Sequence, residues 1–456
     1  MSARIASWPV GFVLAIAAPI LIGCTPNAPY RTADPADCAA GDCADAPHAF
    51  IEKHDGFDLA FVEFTERGNL FDRDRMKRVL DHVAEQARYD PSDPERGVLT
   101  IVFVHGWKHN AQADDGNVQS FTDLLRQVHA LRDLSQQGTP RKVIGVYVGW
   151  RGLSVDLEPL TEVSYWERKA VAEQVAKGGV TELLLRLERE VVDPERPNRN
   201  LYLVTGHSFG GAVVLSALNE IFLERVAAAT AKKPDDACVQ TRPFGHGVVL
   251  LNPAIEANEV FQLKEFVAET CFVPTQPRLL HVISSDADKA TNKAFRLGQW
   301  LGVSLTWRQA TLPRQFDGRA VQFDESDLDT FTVGNFLPFQ TGQLDQSNAT
   351  DSRWQYTSCI GQEAACLDPA YRAQHIPVEH NEPLAFIQTD ESFIADHNDV
   401  FNDNVSAYLA AVIAENRYKR IRDDSSVVDL RLPEECRSDA FGPCFDLYQK
   451  WFESVE

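Results

Sequence analysis

The sequence is poor in basic residues and contains no internal repeat. Lys and Arg total 44 against 66 Asp and Glu, which gives a formal net charge of -22 over 456 residues. Because phosphates would be repelled, this charge argues against non-specific nucleic-acid binding, and no nucleic-acid partner is expected. Beyond the N-terminal segment, no stretch is long and apolar enough to cross a bilayer. The apolar fraction of 44% and the charged fraction of 24% are those of an ordinary globular protein.

The N-terminus has a pattern of its own. Arg4 precedes an apolar run over residues 8–22, and the small residue Gly23 follows. A short basic region, an apolar stretch and a small residue before a cleavage point predict an export signal over residues 1–23. An uncleaved membrane anchor is the alternative, because residues 5–23 are nearly long enough to span a bilayer.

The four residues that close this run, LIGC, resemble the lipobox of bacterial lipoproteins. The resemblance implies that Cys24 carries lipid, becomes the new N-terminus and attaches the protein to the membrane of the cell envelope. Thr25 stands where an inner-membrane retention signal would have Asp, which favours the outer membrane, facing the periplasm. Residues 24–47 are rich in Ala, Asp and Pro, and we predict that they form a flexible tether.

The cysteines also indicate export. Apart from Cys24 they number eight, an even count that is typical of disulfides in an oxidising compartment. Neighbours in the sequence suggest the pairs Cys38–Cys43, Cys359–Cys366 and Cys436–Cys444. Cys238 and Cys271 each precede a predicted strand, and consecutive parallel strands begin at the same edge of a sheet, so we predict a Cys238–Cys271 disulfide there. Metal binding is the alternative, but no CxxC occurs, and no metal is expected.

Strand-like and helix-like segments alternate along the chain. Strands are predicted at 59–64, 99–104, 143–148, 201–204, 248–251, 279–284 and 384–387. Helical segments are predicted at 73–88, 119–132, 165–191, 211–228 and 400–416. This alternation predicts an α/β protein with a mainly parallel sheet covered by helices on both faces. Chemistry in such sheets gathers at the carboxyl ends of the strands.

Two segments depart from the alternation. The main domain is predicted over 48–420. Within it, about 292–383 separates the predicted strands at 279–284 and 384–387, and this segment has too many residues for a simple loop. We interpret this insertion before the last strand as a possible cap over the site, with an inert surface insertion as the alternative. Residues 421–456, which include the last cysteine pair, form a C-terminal extension.

The stretch GHSFG at 206–210 fits the G-x-S-x-G pattern, directly after a buried strand and before a helix. In that context Ser208 is predicted to be a nucleophile on a strained turn, and Gly206 and Gly210 allow strand and helix to approach closely. An ordinary glycine-rich turn is the alternative. Upstream, another buried strand ends in His105-Gly106. We expect His105 to be a core residue that hydrogen-bonds the loop, and Gly106 to permit close backbone approach.

The motifs HGW, GHSFGG, LLNPA and SDADKAT occur in an order that resembles the α/β-hydrolase superfamily, in its esterase/lipase branch. The resemblance covers 59–413, although the HGGG form of the lipase loop is absent. It implies an α/β-hydrolase fold and an oxyanion hole made by the backbone N–H groups of Trp107 and Phe209. It also implies a catalytic triad in the chain order Ser, acid, His.

In that order the histidine follows the last strand, which makes His397 the implied general base. The acid follows the strand at 279–284, where two candidates stand two residues apart, Asp286 and Asp288. Asp288 is favoured, because the superfamily commonly has the acid three positions beyond a small residue at that strand end. The alternative for Asp288 is a helix N-cap, since a segment with helical character follows.

Together these features predict a lipid-anchored, extracytoplasmic serine hydrolase that cleaves carboxylic esters, either small molecules or lipids. No cofactor is expected, because serine, histidine and aspartate suffice for acyl transfer. Thioesterases, acyltransferases and peptidases use the same triad and stay open as alternatives. A non-catalytic surface lipoprotein that uses the fold as a binding scaffold is the alternative from another class.

Overall fold

A computed structural model describes most of the chain. The described residues are 27–38, 43–94, 96–134, 141–152, 165–196, 199–232, 237–273, 275–296, 299, 310–316, 318–346, 354–359, 374–376, 378 and 382–423. The predicted export signal, Cys24 and nearly all of the C-terminal extension therefore lie outside the described residues. Among the helices of the described part, none is both long and apolar enough to cross a membrane.

A mainly parallel sheet of eleven strands forms the centre of the structure. The strands of the chain are β1 (Ala36–Asp37), β2 (Ile51–Lys53), β3 (Phe57–Glu63), β4 (Val98–Val104), β5 (Lys142–Gly149), β6 (Leu201–His207), β7 (Gly247–Leu251), β8 (Leu280–Ser285), β9 (Thr311–Phe316), β10 (Arg319–Asp324), β11 (Gly342–Gln346), β12 (Trp354–Ser358) and β13 (Leu384–Thr389). The sheet order is β1-β2-β3-β5-β4-β6-β7-β8-β13-β11-β12, and β9 and β10 form a separate antiparallel pair.

The strands from β3 to β11 in this order are all parallel to their neighbours. At the two ends of the sheet, β2 is antiparallel to β3 and β12 is antiparallel to β11. Every residue of β4 and β6 is buried, as expected for central strands covered on both faces. The parallel strands end at a common edge, which we call the carboxyl edge, and begin at the opposite amino edge.

Helices cover both faces of this sheet. They are α1 (Arg73–Ala87), α2 (Gly116–Leu134), α3 (Tyr165–Val175), α4 (Thr181–Val191), α5 (Phe209–Thr230), α6 (Asn258–Ala268), α7 (Glu325–Thr330) and α8 (Asp403–Asp423). Apolar side chains of α1, α3, α4, α5 and α6 pack in one core cluster, and those of α2 and α8 pack in a second cluster. The predicted α/β architecture, with a mainly parallel sheet between helices, is thus confirmed.

Each predicted strand and helix overlaps an element of the structure. The helical segment predicted at 165–191 is divided into α3 and α4 by a π-helical turn, Ala176–Val180. Its kink lies at Gly178, which has φ -123° and ψ -106°. The following Gly179 packs so closely on Phe64 and on the carbonyl of Gly68 that a side chain there would collide with both.

The described part of the insertion at 292–383 has elements of its own. β11 and β12 extend the central sheet beyond β13, and β9 and β10 form a hairpin. Val333 donates a backbone hydrogen bond to the carbonyl of Ile255 (2.8 Å), so the chain near α7 is attached to the segment after β7. The described insertion is therefore structured, while its role as a cap stays a prediction.

The N-terminal segment differs from the predicted flexible tether over residues 27–38, which we call the N-terminal strap. Its β1 pairs with β2, and the fully buried Arg31 forms an ion pair with Glu52 (2.5 Å). The Arg31 guanidinium also lies 3.7 Å from the centre of the Phe61 ring. The tether prediction is wrong here, because one buried arginine and a short strand bind this polar segment to the domain.

Two of the predicted disulfides are confirmed, Cys38–Cys43 and Cys238–Cys271. The second lies beside a parallel bridge between Val239 and Phe272, ahead of β7 and β8, which places it at the amino edge as predicted. Cys359 is also disulfide-bonded. Its expected partner Cys366, like the predicted pair Cys436–Cys444, lies outside the described residues.

Candidate active site

Ser208 lies at the carboxyl end of β6, on the turn that leads into α5. Its backbone has φ 54° and ψ -121°, a strained conformation for a residue with a side chain. Both flanking glycines are required by close backbone contacts. A Cβ atom on Gly206 would lie 2.5 Å from the carbonyl oxygen of Gly210, and one on Gly210 would collide with the carbonyl oxygen of Val104. The turn therefore holds the serine in a fixed position beside β4.

The His397 side chain contacts residues that follow two other strands of the sheet. It follows β13, and its Nε2 atom lies 2.9 Å from the Oγ atom of Ser208 after β6. Its Nδ1 atom lies 2.8 Å from an oxygen of Asp288, which follows β8. A carboxylate only accepts, so Nδ1 carries the proton and neutral Nε2 accepts from the serine hydroxyl. The structure thus joins the three predicted side chains in one hydrogen-bonded line.

The Asp288 carboxylate is completely buried and accepts from two directions. Besides His397, it accepts hydrogen bonds from the backbone N–H of Ala290 (2.8 Å) and from the hydroxyl of Thr291 (2.5 Å). Burial acts to raise the pKa of Asp288, but the hydrogen bond and charge of His397, together with Thr291, outweigh it and lower the pKa. Asp288 therefore stays ionised while it orients the imidazole.

The competing acid, Asp286, has a different position. Its side chain is exposed, and its backbone N–H donates to the carbonyl of Thr389 on β13 (2.9 Å). Of the two candidates, the structure directs Asp288 toward His397. The N-cap alternative for Asp288 also corresponds to real contacts, because the same carboxylate binds the backbone of the turn that follows it.

The loop after β4 passes directly against the serine. A Cβ atom on Gly106 would lie 2.9 Å from the Cβ atom of Ser208, so only glycine fits there. Trp107 follows this glycine, and Phe209 follows the serine as the first residue of α5. The two residues predicted to form the oxyanion hole therefore adjoin Ser208 from two sides, and their role stays a prediction.

His105 holds this loop, as predicted. It is fully buried, its Nδ1 donates to the carbonyl of Gly106 (2.9 Å), and its Nε2 accepts from the backbone N–H of Trp150 (3.1 Å). Burial lowers the pKa of His105 to about 4. The neutral ring therefore keeps both hydrogen bonds at neutral pH and fixes the position of the loop beside Ser208.

Two residues that the sequence analysis did not assign hold the His397 loop. The buried His207 donates from Nε2 to the carbonyl of His397 (2.7 Å). Asn252, at the end of β7, has φ 43°, accepts from the backbone N–H of Ser285 (3.0 Å) and donates to the same His397 carbonyl (3.4 Å). The motif LLNPA placed this asparagine after a buried strand, which was the available signal for it.

One group of side chains in the described chain has metal-ligand spacing, namely Cys38, Cys43 and His54. Both cysteines form a disulfide, so neither offers the thiolate that binds a metal ion. This group lies at the carboxyl end of the N-terminal strap, where Cys38 donates to the carbonyl of Lys53 at the amino edge of the sheet. The line of Ser208, His397 and Asp288 consists of a hydroxyl, an imidazole and a carboxylate, which together can transfer a proton and form a covalent bond.

Compared with protein-family models, with curated proteins and with solved structures, the chain gave no match in any of the three. Its classification therefore depends on its own geometry: an α/β protein whose mainly parallel sheet carries a hydrogen-bonded Ser-His-Asp line at the carboxyl edge. This edge is where such sheets place their sites.

Proposed function

We propose that this protein is a serine hydrolase of the α/β-hydrolase fold that cleaves carboxylic esters. One observation carries the proposal. Ser208, His397 and Asp288 are connected at 2.9 and 2.8 Å, and they follow β6, β13 and β8, which corresponds to the chain order Ser, acid, His. The strained backbone of Ser208 between a buried strand and a helix supports it further, because G-x-S-x-G nucleophiles are held on such a turn.

In the proposed reaction, His397 takes the proton of Ser208 as its oxygen attacks the carbonyl carbon of the ester. The carbonyl oxygen becomes an oxyanion, which the backbone N–H groups of Trp107 and Phe209 stabilise. His397 then gives the proton to the leaving alkoxide, and the acyl group stays on Ser208. Water, deprotonated by the same imidazole, releases the acid and restores the serine. Asp288 stabilises the imidazolium and holds its tautomer throughout.

We also propose that the protein is attached to the outer membrane, facing the periplasm, by lipid on Cys24. Support comes from the basic and apolar N-terminal segment and from its closing residues LIGC. The disulfides Cys38–Cys43 and Cys238–Cys271 agree with an oxidising compartment outside the cytoplasm. This attachment is separate from the chemistry and is tested separately.

Replacement of the nucleophile tests the proposed chemistry. We expect Ser208→Ala to lower the hydrolysis of a soluble short-chain ester by at least about 10⁴-fold, since removal of a triad member costs that much. Labelling by a fluorophosphonate, which reacts with activated serines, should disappear as well. Ser216→Ala, on the half-buried side of α5, is the matched control and should keep both properties.

The same experiment separates the alternatives. A binding scaffold without catalysis would not react with fluorophosphonate in the wild-type protein. A thioesterase or acyltransferase would react with the probe but would prefer a thioester, or an alcohol acceptor in place of water. Ester turnover by Ser208→Ala at the wild-type rate would rule out the nucleophile assignment.

A further inference from the structure

The N-terminal strap leaves the domain at the carboxyl edge of the sheet. Its strand β1 is parallel to β2, which is antiparallel to β3, so the strap runs from the carboxyl edge toward the amino edge. The backbone N–H groups of Tyr30 and Arg31 donate to the carboxylate of Glu63 at 2.8 Å, and Glu63 is the last residue of β3. The amino end of the strap therefore lies where the parallel strands end.

A short series of contacts connects this amino end to the proposed nucleophile. Asn27 and Ala28 line a small cavity together with Trp150, which follows β5. Trp150 donates from its backbone N–H and from its indole N–H to His105, at 3.1 and 3.0 Å. His105 precedes Gly106, the glycine that contacts Ser208. The first described residue of the strap is thus a few side chains away from the serine.

The strap is firmly bound. Arg31 donates from Nε to the carbonyl of Ala111 (2.6 Å), in the loop that follows β4, in addition to its ion pair with Glu52. Detaching the strap would leave the Glu52 and Glu63 carboxylates, both buried or nearly so, without these partners. The strap therefore does not behave as a free tether.

This docking leaves very little chain between the domain and the proposed lipid. Cys24 is three residues before Asn27, and three residues span at most about 11 Å. Ser208 follows β6, and the strap is bound at the end of β3. In the sheet, β6 is the third strand from β3, so these two strand ends are about 14 Å apart at the usual strand spacing. A connection of this length does not allow the domain to turn its carboxyl edge away from the point where the lipid enters the bilayer.

We propose that the N-terminal strap holds the carboxyl edge of the sheet, with Ser208 in it, against the bilayer that receives the Cys24 lipid. This inference rests on the proposed lipid anchor and gives the proposed hydrolase its substrate source: acyl esters that reside in that same bilayer. Lys108, exposed in the loop beside Ser208, lies with its Nζ atom 4.4 Å from the centre of the Trp107 ring. An aromatic ring with a long cationic side chain is a pair that suits a membrane surface.

Energy transfer between protein and vesicle tests the orientation. A donor dye is attached to the full-length lipidated protein at Asp114→Cys, exposed at the carboxyl edge, or at Glu269→Cys, exposed at the amino edge after α6. The protein is reconstituted into phosphatidylethanolamine–phosphatidylglycerol vesicles that contain an acceptor-labelled lipid. We expect stronger transfer from the dye at position 114 than from the dye at 269.

A spacer variant provides the matched control. Inserting about 20 Gly and Ser residues between Pro26 and Asn27 keeps the anchor and the strap but adds a chain with an end-to-end distance of about 25 Å. The difference between the two dyes should then largely disappear. Hydrolysis of a long-chain ester embedded in the vesicle should fall about 20-fold, because effective concentration falls with roughly the three-halves power of tether length. Hydrolysis of a soluble short-chain ester should not change.

The outcomes separate the inference from the proposed chemistry. Equal transfer from the two dyes with the native tether, or stronger transfer from position 269, overturns the inference. Failure of the native protein to stay with the vesicles overturns it too, since no lipid then holds the strap at a membrane. The transfer measurement involves no catalysis, so a protein that shows the expected transfer but no reaction with fluorophosphonate keeps the orientation and loses the proposed hydrolase function.

Discussion

The Asp288 carboxylate both caps the turn that follows it and orients His397, and a substitution can separate these two roles. Its Oδ1 atom binds the backbone of the following turn, while its Oδ2 atom binds His397 and Thr291. In Asp288→Asn the amide oxygen still caps the turn, so stability should change little. The amide NH₂ cannot accept from Nδ1, which favours the wrong imidazole tautomer. We therefore expect ester turnover to fall by about 10⁴-fold, measured as kcat on a soluble ester.

Asp286→Asn is the matched control for this prediction, because it makes the same chemical change two residues earlier on an exposed side chain. It should keep the wild-type kcat and the wild-type melting temperature. Near-normal turnover in Asp288→Asn combined with a collapse in Asp286→Asn would reverse the assignment of the acid.

At the scale of residues, the site was predictable where a local pattern existed. Ser208 and its two glycines form a five-residue motif, and His397 and Asp288 followed from the chain order of a resembling superfamily. His207 and Asn252 were not predictable in this way. Their bonds to the carbonyl of His397 join residues 190 and 145 positions apart, and a backbone carbonyl has no sequence signature.

At the scale of elements, buried parallel strands were the easiest to predict. β4 is a continuous run of apolar residues with a single threonine, because both of its faces are covered. The missed strands lack such runs: β9 alternates between exposed and half-buried residues, and β2 has three residues. The docked strap also lacks an apolar run. Its docking depends on Arg31 and on Glu63, which lies 32 residues further along the chain, and no local pattern indicates such a contact.

The disulfide Cys238–Cys271 connects two elements and carries a prediction about stability. It joins the segments that enter β7 and β8 and closes a loop with a sequence separation of 33 residues. We expect the double variant Cys238→Ser, Cys271→Ser to lower the free energy of unfolding by about 3–4 kcal/mol, mainly by freeing the unfolded chain. Denaturant unfolding of the oxidised proteins measures this difference.

The position of this disulfide at the amino edge gives the control for the same variant. Hydrolysis of a soluble ester at a temperature where the fold persists should stay at the wild-type rate, because the site lies at the opposite edge. An unchanged unfolding midpoint, or a large loss of activity in the folded double variant, would contradict the prediction.

At the scale of the whole molecule, the two edges of the sheet have different tasks. The carboxyl edge carries Ser208, His397 and Asp288 and receives the amino end of the strap, whereas the amino edge carries the disulfide between β7 and β8. Since the strands from β3 to β11 of the sheet are parallel, the loops that follow them start from the carboxyl edge, and the opposite edge is available for stabilisation. Changes at the two edges should therefore separate activity from stability.

Buried neutral histidines give the whole molecule a defined response to acid. Burial lowers the pKa of His105 and of His375 to about 4, and it lowers the pKa of His207 well below its usual value. In the unfolded chain a histidine has a pKa of about 6.5. Between these values the unfolded state binds more protons, so each such histidine makes unfolding easier as pH falls from about 6.5 toward 4.

His375 isolates this effect because it belongs to the insertion and has no part in the proposed reaction. Its Nε2 donates to the carbonyl of Gln340 (2.7 Å), and Lys264 and Arg319 add to the lowering of its pKa by burial.

His375→Gln keeps a donor for Gln340 but cannot be protonated. Unfolding free energies measured between pH 7 and 5 should therefore decline less steeply in this variant, by about 1 kcal/mol per pH unit below pH 6. Buried carboxyls with raised pKa, such as Glu63 and Glu256, act in the opposite direction but equally in both proteins. Identical slopes for the two proteins would show that His375 is already protonated in the native state at pH 5.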